Sequence, residues 1–200
     1  VAAVVVTFNM FFVFMPGYLT TLGTASLEHV LAAALVGLVL GSLSAPAFGA
    51  LSDRRGRRPL ILGGLVGVLV AAMPAALLVA RGDTASMIAG YSLIGIALGA
   101  LPIAAFLAEL FPTRLRYSGL SLTYGLASAV FGGTAPFVAA LLVRLPGGPR
   151  TAVWYATAVA AVAATAARSA PETAHRPLDV GAEEPGSSAP PDAGEVLSSG

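Results

Sequence analysis

Leu60-Ile-Leu-Gly-Gly-Leu-Val-Gly-Val-Leu-Val-Ala-Ala-Met-Pro-Ala-Ala-Leu-Leu-Val-Ala80 contains no charged, amide or hydroxyl side chain. At 1.5 Å rise per residue, a helix of that length reaches about 30 Å, the thickness of a bilayer's hydrocarbon core. Every face of it is apolar, so it has no side to turn toward water. The other home for such a segment is the centre of a soluble core, which requires the rest of the chain to supply a polar coat. It does not. Hydrophobic residues make up 56% of the 200 residues and charged residues 10%, far below the roughly 25% charged content of soluble domains.

Working outward from 60–80, comparable apolar runs cover 1–19, 30–51, 85–107, 117–143 and 151–167. None carries an ionisable side chain in its middle, consistent with the cost of roughly 2.5 to 3.5 kcal/mol for Arg or Asp at a membrane helix centre. The expected fold is all-α, a polytopic membrane protein with a six-helix transmembrane bundle over 1–168. From 169 to 200 the composition shifts to Pro, Gly, Ser, Ala and acidic residues, as in Glu183-Glu184-Pro185-Gly186-Ser187-Ser188. Such a segment cannot bury enough apolar surface to order itself and is expected to be a disordered cytoplasmic tail. Val1 opens inside an apolar run without a basic flank, which reads as an internal start and not as a signal peptide.

The net charge of +1 conceals a strong asymmetry, because all eleven basic residues are arginine and most lie in clusters between spans. Arg54, Arg55, Arg57, Arg58, Arg114, Arg116, Arg168 and Arg176 fall on one set of alternate connections. The other set has Arg81, Arg144 and Arg150. The positive-inside rule places the first set, and with it both termini, in the cytoplasm.

The composition also narrows the chemistry. Cysteine is absent, and His29 and His175 stand alone outside the apolar runs, so no metal site is expected. No nucleophile and base pair up, and no glycine-rich phosphate loop sits between a strand and a helix. Neither an enzyme nor a cofactor nor a nucleic-acid partner is expected.

Within the spans, glycines recur at four-residue spacing: Gly37 with Gly41, Gly63 with Gly67, and Gly95 with Gly99. Such steps let helix backbones approach closely where lipid removes the hydrophobic drive to pack. Pro46, Pro74, Pro102 and Pro136 each withhold a backbone donor, which neighbouring helices of a membrane bundle can tolerate.

The most specific segment lies between the second and third runs: Gly49-Ala-Leu-Ser-Asp53-Arg54-Arg55-Gly56-Arg57-Arg58-Pro59. Gly56 permits a tight reversal, and Pro59 suits the first turn of the following helix. Asp53 at a helix C-terminus opposes the macrodipole, so it requires a partner: Arg54, Arg57 or the positive end of another helix. This segment resembles the G-x-x-x-D-R-x-G-R-R signature of the major facilitator superfamily and matches it at every defined position. The resemblance implies that Gly49, Asp53, Arg54, Gly56, Arg57 and Arg58 form a cytoplasmic gating motif. The bland reading is a basic topogenic loop.

Ala108-Glu109-Leu-Phe111-Pro112-Thr113-Arg114-Leu-Arg116-Tyr117-Ser118-Gly119 resembles a second loop of the same superfamily, in its sugar-porter and metabolite:proton symporter members. Pro171-Glu172-Thr173 after the last run is similar to the P-E-T segment that ends many facilitators. Glu109, Arg114, Arg116 and Glu172 are therefore expected in a charge network, with Glu109 pairing an arginine of its own loop or of the Asp53 loop. The stretch 111–121 with Phe131-Gly-Gly-Thr-Ala-Pro136 looks most like the metabolite:proton symporter family. The resemblance covers nearly all of 1–178 and corresponds to the C-terminal six helices of a twelve-helix carrier.

What that resemblance implies is transport of a small metabolite, an organic acid, amino acid or betaine-like zwitterion, by proton symport with alternating access in the cell membrane. The substrate then sits near the midplane between two halves. Its partners are that substrate, protons, the bilayer and a missing N-terminal half. Asn9, Phe12, Tyr91, Tyr124, Ser128 and Thr134 are the candidates for cavity lining, with helix packing as the alternative for each. Asn9 leads, because an amide in a membrane helix prefers a partner or a wet cavity to lipid; Tyr124 follows for its hydroxyl and its ring face. With no Asp, Glu or His in mid-span, any proton carrier belongs to the other half. A self-contained six-helix protein that dimerises and a non-transporting remnant are the competing readings.

Overall fold

The computed structural model describes residues 1–111, 115–146 and 148–169, and they form an all-α bundle of six rods with no strand among them. We number the rods α1 (Ala2–Thr21), α2 (Leu27–Arg55), α3 (Arg57–Val79), α4 (Thr84–Leu110), α5 (Arg116–Leu142) and α6 (Pro149–Arg168). The first five are long and apolar enough to cross a membrane. At 20 residues α6 is about 30 Å long, but it is alanine-rich, interrupted by Thr151, Thr157 and Thr165, and bounded by Arg150 and Arg168. It packs against α3 and α1 and buries Ala152, Val153, Ala156, Ala160 and Ala164 there. The expected tail, apart from Ser169, lies outside the described residues.

The rods overrun the apolar runs because polar residues start and stop them. α2 begins after Ser26, whose backbone is extended, and carries Glu28 in its first turn, where the helix dipole favours a negative charge. α4 begins after Asp83, whose carboxylate accepts a hydrogen bond from the Ser86 amide at 2.9 Å. That is an N-cap satisfying one of the orphan amides of the first turn. Gly56 alone separates α2 from α3, at φ +100°, a conformation that L side chains rarely adopt.

The closest helix pair is α2 with α4, and glycines set the approach. A Cβ on Gly37 would lie 2.5 Å from the Tyr91 carbonyl oxygen, and one on Gly41 2.6 Å from that of Gly95. Gly95 and Gly99 meet the Gly37 and Gly41 carbonyls in return. The Gly63 and Gly67 step differs: a Cβ on either would meet no atom of another helix within 4 Å, and it is Gly64 that receives a side chain, that of Leu101.

Three of the rods depart from plain α-helix. α4 is broken at 100–102 into Thr84–Gly99 and Ile103–Leu110, where the run 85–107 reads as one span. Pro102 has no amide to donate and its ring clashes with a carbonyl one turn back, so the ladder stops there. Leu101, buried at the break, plugs against Gly64. In α1 the segment Asn9–Phe14 is a π-helix, where the Met15 amide donates to the Met10 carbonyl five residues back. In α5 the segment Ser128–Gly132 is another, with the Gly133 amide donating to Ser128.

Candidate functional site

Two groups of residues stand out, one at the end where α2, α3 and α4 meet and one midway along α1 and α5. At the first, Gly56 folds the chain so that Arg57 opens α3 directly beneath the last turn of α2. Its Nη1 pairs with Asp53 Oδ1 at 2.6 Å. The same guanidinium turns its other edge to Glu109 on the short second rod of α4, with Nε at 2.9 Å and Nη2 at 2.8 Å from Oε1. Arg57 is 13% exposed, Glu109 22% and Asp53 62%. The side-on contact to Glu109 is thus the sheltered one, and charge-assisted bonds of this kind are roughly twice as strong as neutral ones. One cation ties three helix ends.

Arg58 points elsewhere. Its Nη2 donates to the Arg168 carbonyl at the C-terminus of α6, where the helix dipole is negative and the last carbonyls lack intrahelical donors. Gly49, one turn before Asp53, has no atom within 4 Å of where a Cβ would stand. Arg54 is exposed. Arg116, expected in the charge network, instead opens α5, half-buried and with no hydrogen-bond partner at its buried Nε. Among the described residues no ion pair joins it to Glu109, because it leaves from a different helix start. Arg114 and Glu172 lie outside the described residues.

The second group surrounds an open cleft of about 520 Å³ between α1 and α5, lined by Val4, Val5, Phe8, Asn9, Tyr124, Ser128, Gly132 and Gly133. That volume is in the range of small-molecule pockets. Asn9 opens the π segment of α1 and Ser128 that of α5, each near the middle of its rod. Such π turns shift the helix register by one residue and recur at functional sites. The Asn9 amide Nδ2 donates to the Val5 carbonyl at 2.8 Å, and a Cβ on Gly132 would lie 2.9 Å from Val5 Cγ1 and 3.4 Å from that nitrogen. The absence of a side chain at Gly132 therefore lets α5 approach α1 beside Val5 and Asn9.

The structure brings Asn9, Tyr124 and Ser128 together and leaves the other three candidates elsewhere. Phe12 stands behind the cleft, stacked on Phe8 at 5.3 Å and tilted against Tyr91 at 5.5 Å. Tyr91 is fully buried where α4 crosses α2, with no hydrogen-bond partner for its hydroxyl. Thr134 is exposed and donates to the Val130 carbonyl. Phe8 lines the cleft and is absent from the candidates read from sequence. Its signal was its position, next to Asn9 and one turn before Phe12.

A sequence profile of the Major Facilitator Superfamily matches residues 1–198. The chain belongs to the major facilitator superfamily. Among facilitators it is 33% identical over 183 residues to the proline/betaine transporter of Escherichia coli (strain K12), covering 89% of this chain and 36% of that protein. It is 35% identical over 167 residues to the alpha-ketoglutarate permease of the same strain, covering 78% and 37%. Against the citrate-proton symporter of Salmonella typhi the identity is 33% over 174 residues, covering 83% and 39%. The chain thus spans a little over a third of the length of these facilitator relatives. It is an integral membrane facilitator module related to carriers of small metabolites.

Proposed function

We propose that this chain is the C-terminal six-helix half of a proton-coupled carrier that moves a small organic acid, amino acid or betaine-like zwitterion by alternating access. The observation that carries the reading is the guanidinium of Arg57, which fastens α2, α3 and α4 at one end through Asp53 and Glu109. The pair with the mostly exposed Asp53 contributes about 0 to 1 kcal/mol, and the sheltered pair with Glu109 about 1 to 3 kcal/mol. Several that form and break together bias two conformations separated by a few kcal/mol, which is what a carrier's gate requires. The cleft with Asn9, Tyr124 and Ser128 then forms one wall of the substrate site, and the charge cluster closes its cytoplasmic side.

The placement of eight of eleven arginines on one set of connections supports a cell-membrane orientation with both termini in the cytoplasm. Proton coupling is supported by the relation to a citrate-proton symporter. No Asp, Glu or His stands in mid-rod here, so the proton is carried by the N-terminal half.

The test is uptake into proteoliposomes holding the full-length carrier, with labelled proline, glycine betaine, alpha-ketoglutarate and citrate supplied in turn. Uptake of one of them is accelerated by an inward proton gradient and falls when the gradient is collapsed. Uptake indifferent to the gradient removes the symport assignment, and no uptake of any removes the transport assignment.

A further inference from the structure

We infer that the wall formed by Phe8, Asn9 and Tyr124 seats the cationic end of a zwitterion, and so selects an ammonium-bearing substrate over di- and tricarboxylates. This rests on the carrier reading above and concerns which chemistry the same cleft accepts.

The first ground is charge. No side chain lining the cleft carries a charge at neutral pH, and the arginines among the described residues lie at helix ends and connections. A dianion set against this wall would leave water without a cation on it to meet either charge, and the desolvation of an unpaired charge is expensive. The second ground is the rings. Phe8 and Tyr124 are 39% and 49% exposed, and both line the opening. An aromatic face is electron-rich, attracting cations and repelling carboxylates. Phe8 is also held in place: it stacks on Phe12, which leans on the buried Tyr91.

The third ground is the amide. Asn9 spends its Nδ2 on the Val5 carbonyl, and among the described residues no donor reaches its Oδ1. That bond takes one of the two Nδ2 hydrogens, and the free Oδ1 beside the other is an acceptor suited to an ammonium N–H or to the polarised methyl groups of a quaternary nitrogen. Ser128 and Tyr124 add hydroxyls that can accept as well. With no cation on this wall, the charge of the zwitterion's carboxylate is met by groups outside it.

The experiment uses the purified full-length carrier and three probes in equilibrium binding. Glycine betaine carries a quaternary nitrogen and one carboxylate. 3,3-Dimethylbutanoate has the same shape with carbon in place of that nitrogen, and alpha-ketoglutarate is a dianion. Betaine is expected to bind about tenfold tighter than either, with Phe8→Leu reducing the margin over the carbon isostere to about threefold or less. Tyr124→Leu has the same effect, whereas Tyr124→Phe keeps the ring and most of the margin. Equal binding of betaine and 3,3-dimethylbutanoate, preference for alpha-ketoglutarate, or binding of none of the three overturns the inference. Discriminating binding without uptake in proteoliposomes defeats the carrier reading and leaves the seat standing.

Discussion

Arg57 holds Glu109 side-on, Nε and Nη2 meeting Oε1 at 2.9 and 2.8 Å, and so joins the first turn of α3 to the last turn of α4 across 52 residues of sequence. Asp53 takes the remaining Nη1 from α2. The two carboxylates are not equivalent, because Glu109 is sheltered and Asp53 is mostly in solvent.

That difference sets a ranking of stabilities. Glu109→Gln is expected to cost about 1 to 3 kcal/mol, the range for a charge-assisted bond lost in a sheltered place. Asp53→Asn is expected to cost under about 1 kcal/mol. Thermal unfolding of the purified carrier in detergent reads both, and a larger loss for Asp53→Asn would reverse the assignment of which contact is the sheltered one.

Function should rank differently from stability. Asp53 belongs to the gate in the account above, so Asp53→Asn slows turnover several-fold while substrate affinity changes little. Uptake kinetics beside equilibrium binding separate the two quantities. Lost affinity with unchanged turnover is the outcome that counts against a gating role.

The glycines divide into two classes. Gly41→Ala places a methyl 2.6 Å from the backbone of Gly95, and backbone cannot step aside as a side chain tip does. The two rods must separate, at an expected cost of about 1 to 3 kcal/mol. Gly63→Ala and Gly67→Ala meet no atom of another helix within 4 Å and should be neutral or stabilising by about 0.5 to 1 kcal/mol. Melting temperatures of the three variants decide this, and a Gly41→Ala protein as stable as Gly67→Ala would refute the close crossing.

Much of this architecture was legible in the chain. The run 60–80 demanded a membrane helix, Gly56 announced the reversal that its φ of +100° confirms, and the position of Asp53 called for the partner it has in Arg57. Other features carry no compositional mark. A π turn at Asn9 or Ser128 needs no special residue, since it shifts the register by one position within a chain that stays helical. The choice of Gly64 over Gly63 as the seat for Leu101 depends on where the break at Pro102 directs the next rod. Glu109 had arginines of two loops within plausible reach, and only packing brings forward the one 52 residues away. Tyr91 offered the same polar handle as Tyr124, but the glycine crossing of α2 and α4 buries it.

The other end of α4 carries a pH dependence. The hydrogen bond from the Ser86 amide holds the Asp83 carboxyl below its ordinary value. A depressed folded-state pKa gives stabilisation that is present above the unfolded value, near 4, and is lost as pH falls through the folded one. Amide exchange at Ser86 should therefore be slower in the parent than in Asp83→Ala at pH 6. The difference should vanish below the ordinary carboxylate range. A difference that persists at low pH would mean that the charged cap is not what protects the turn.

The most direct test of the central claim, that this chain is part of an alternating-access carrier, is substrate counterflow. Proteoliposomes containing the full-length protein are loaded with unlabelled substrate, freed of any proton gradient, and diluted into a trace of labelled substrate. A carrier that exposes one site to each side in turn accumulates label transiently above its equilibrium level before releasing it. The account predicts that overshoot; label that enters and rises only to equilibrium would mark an open pore and contradict it.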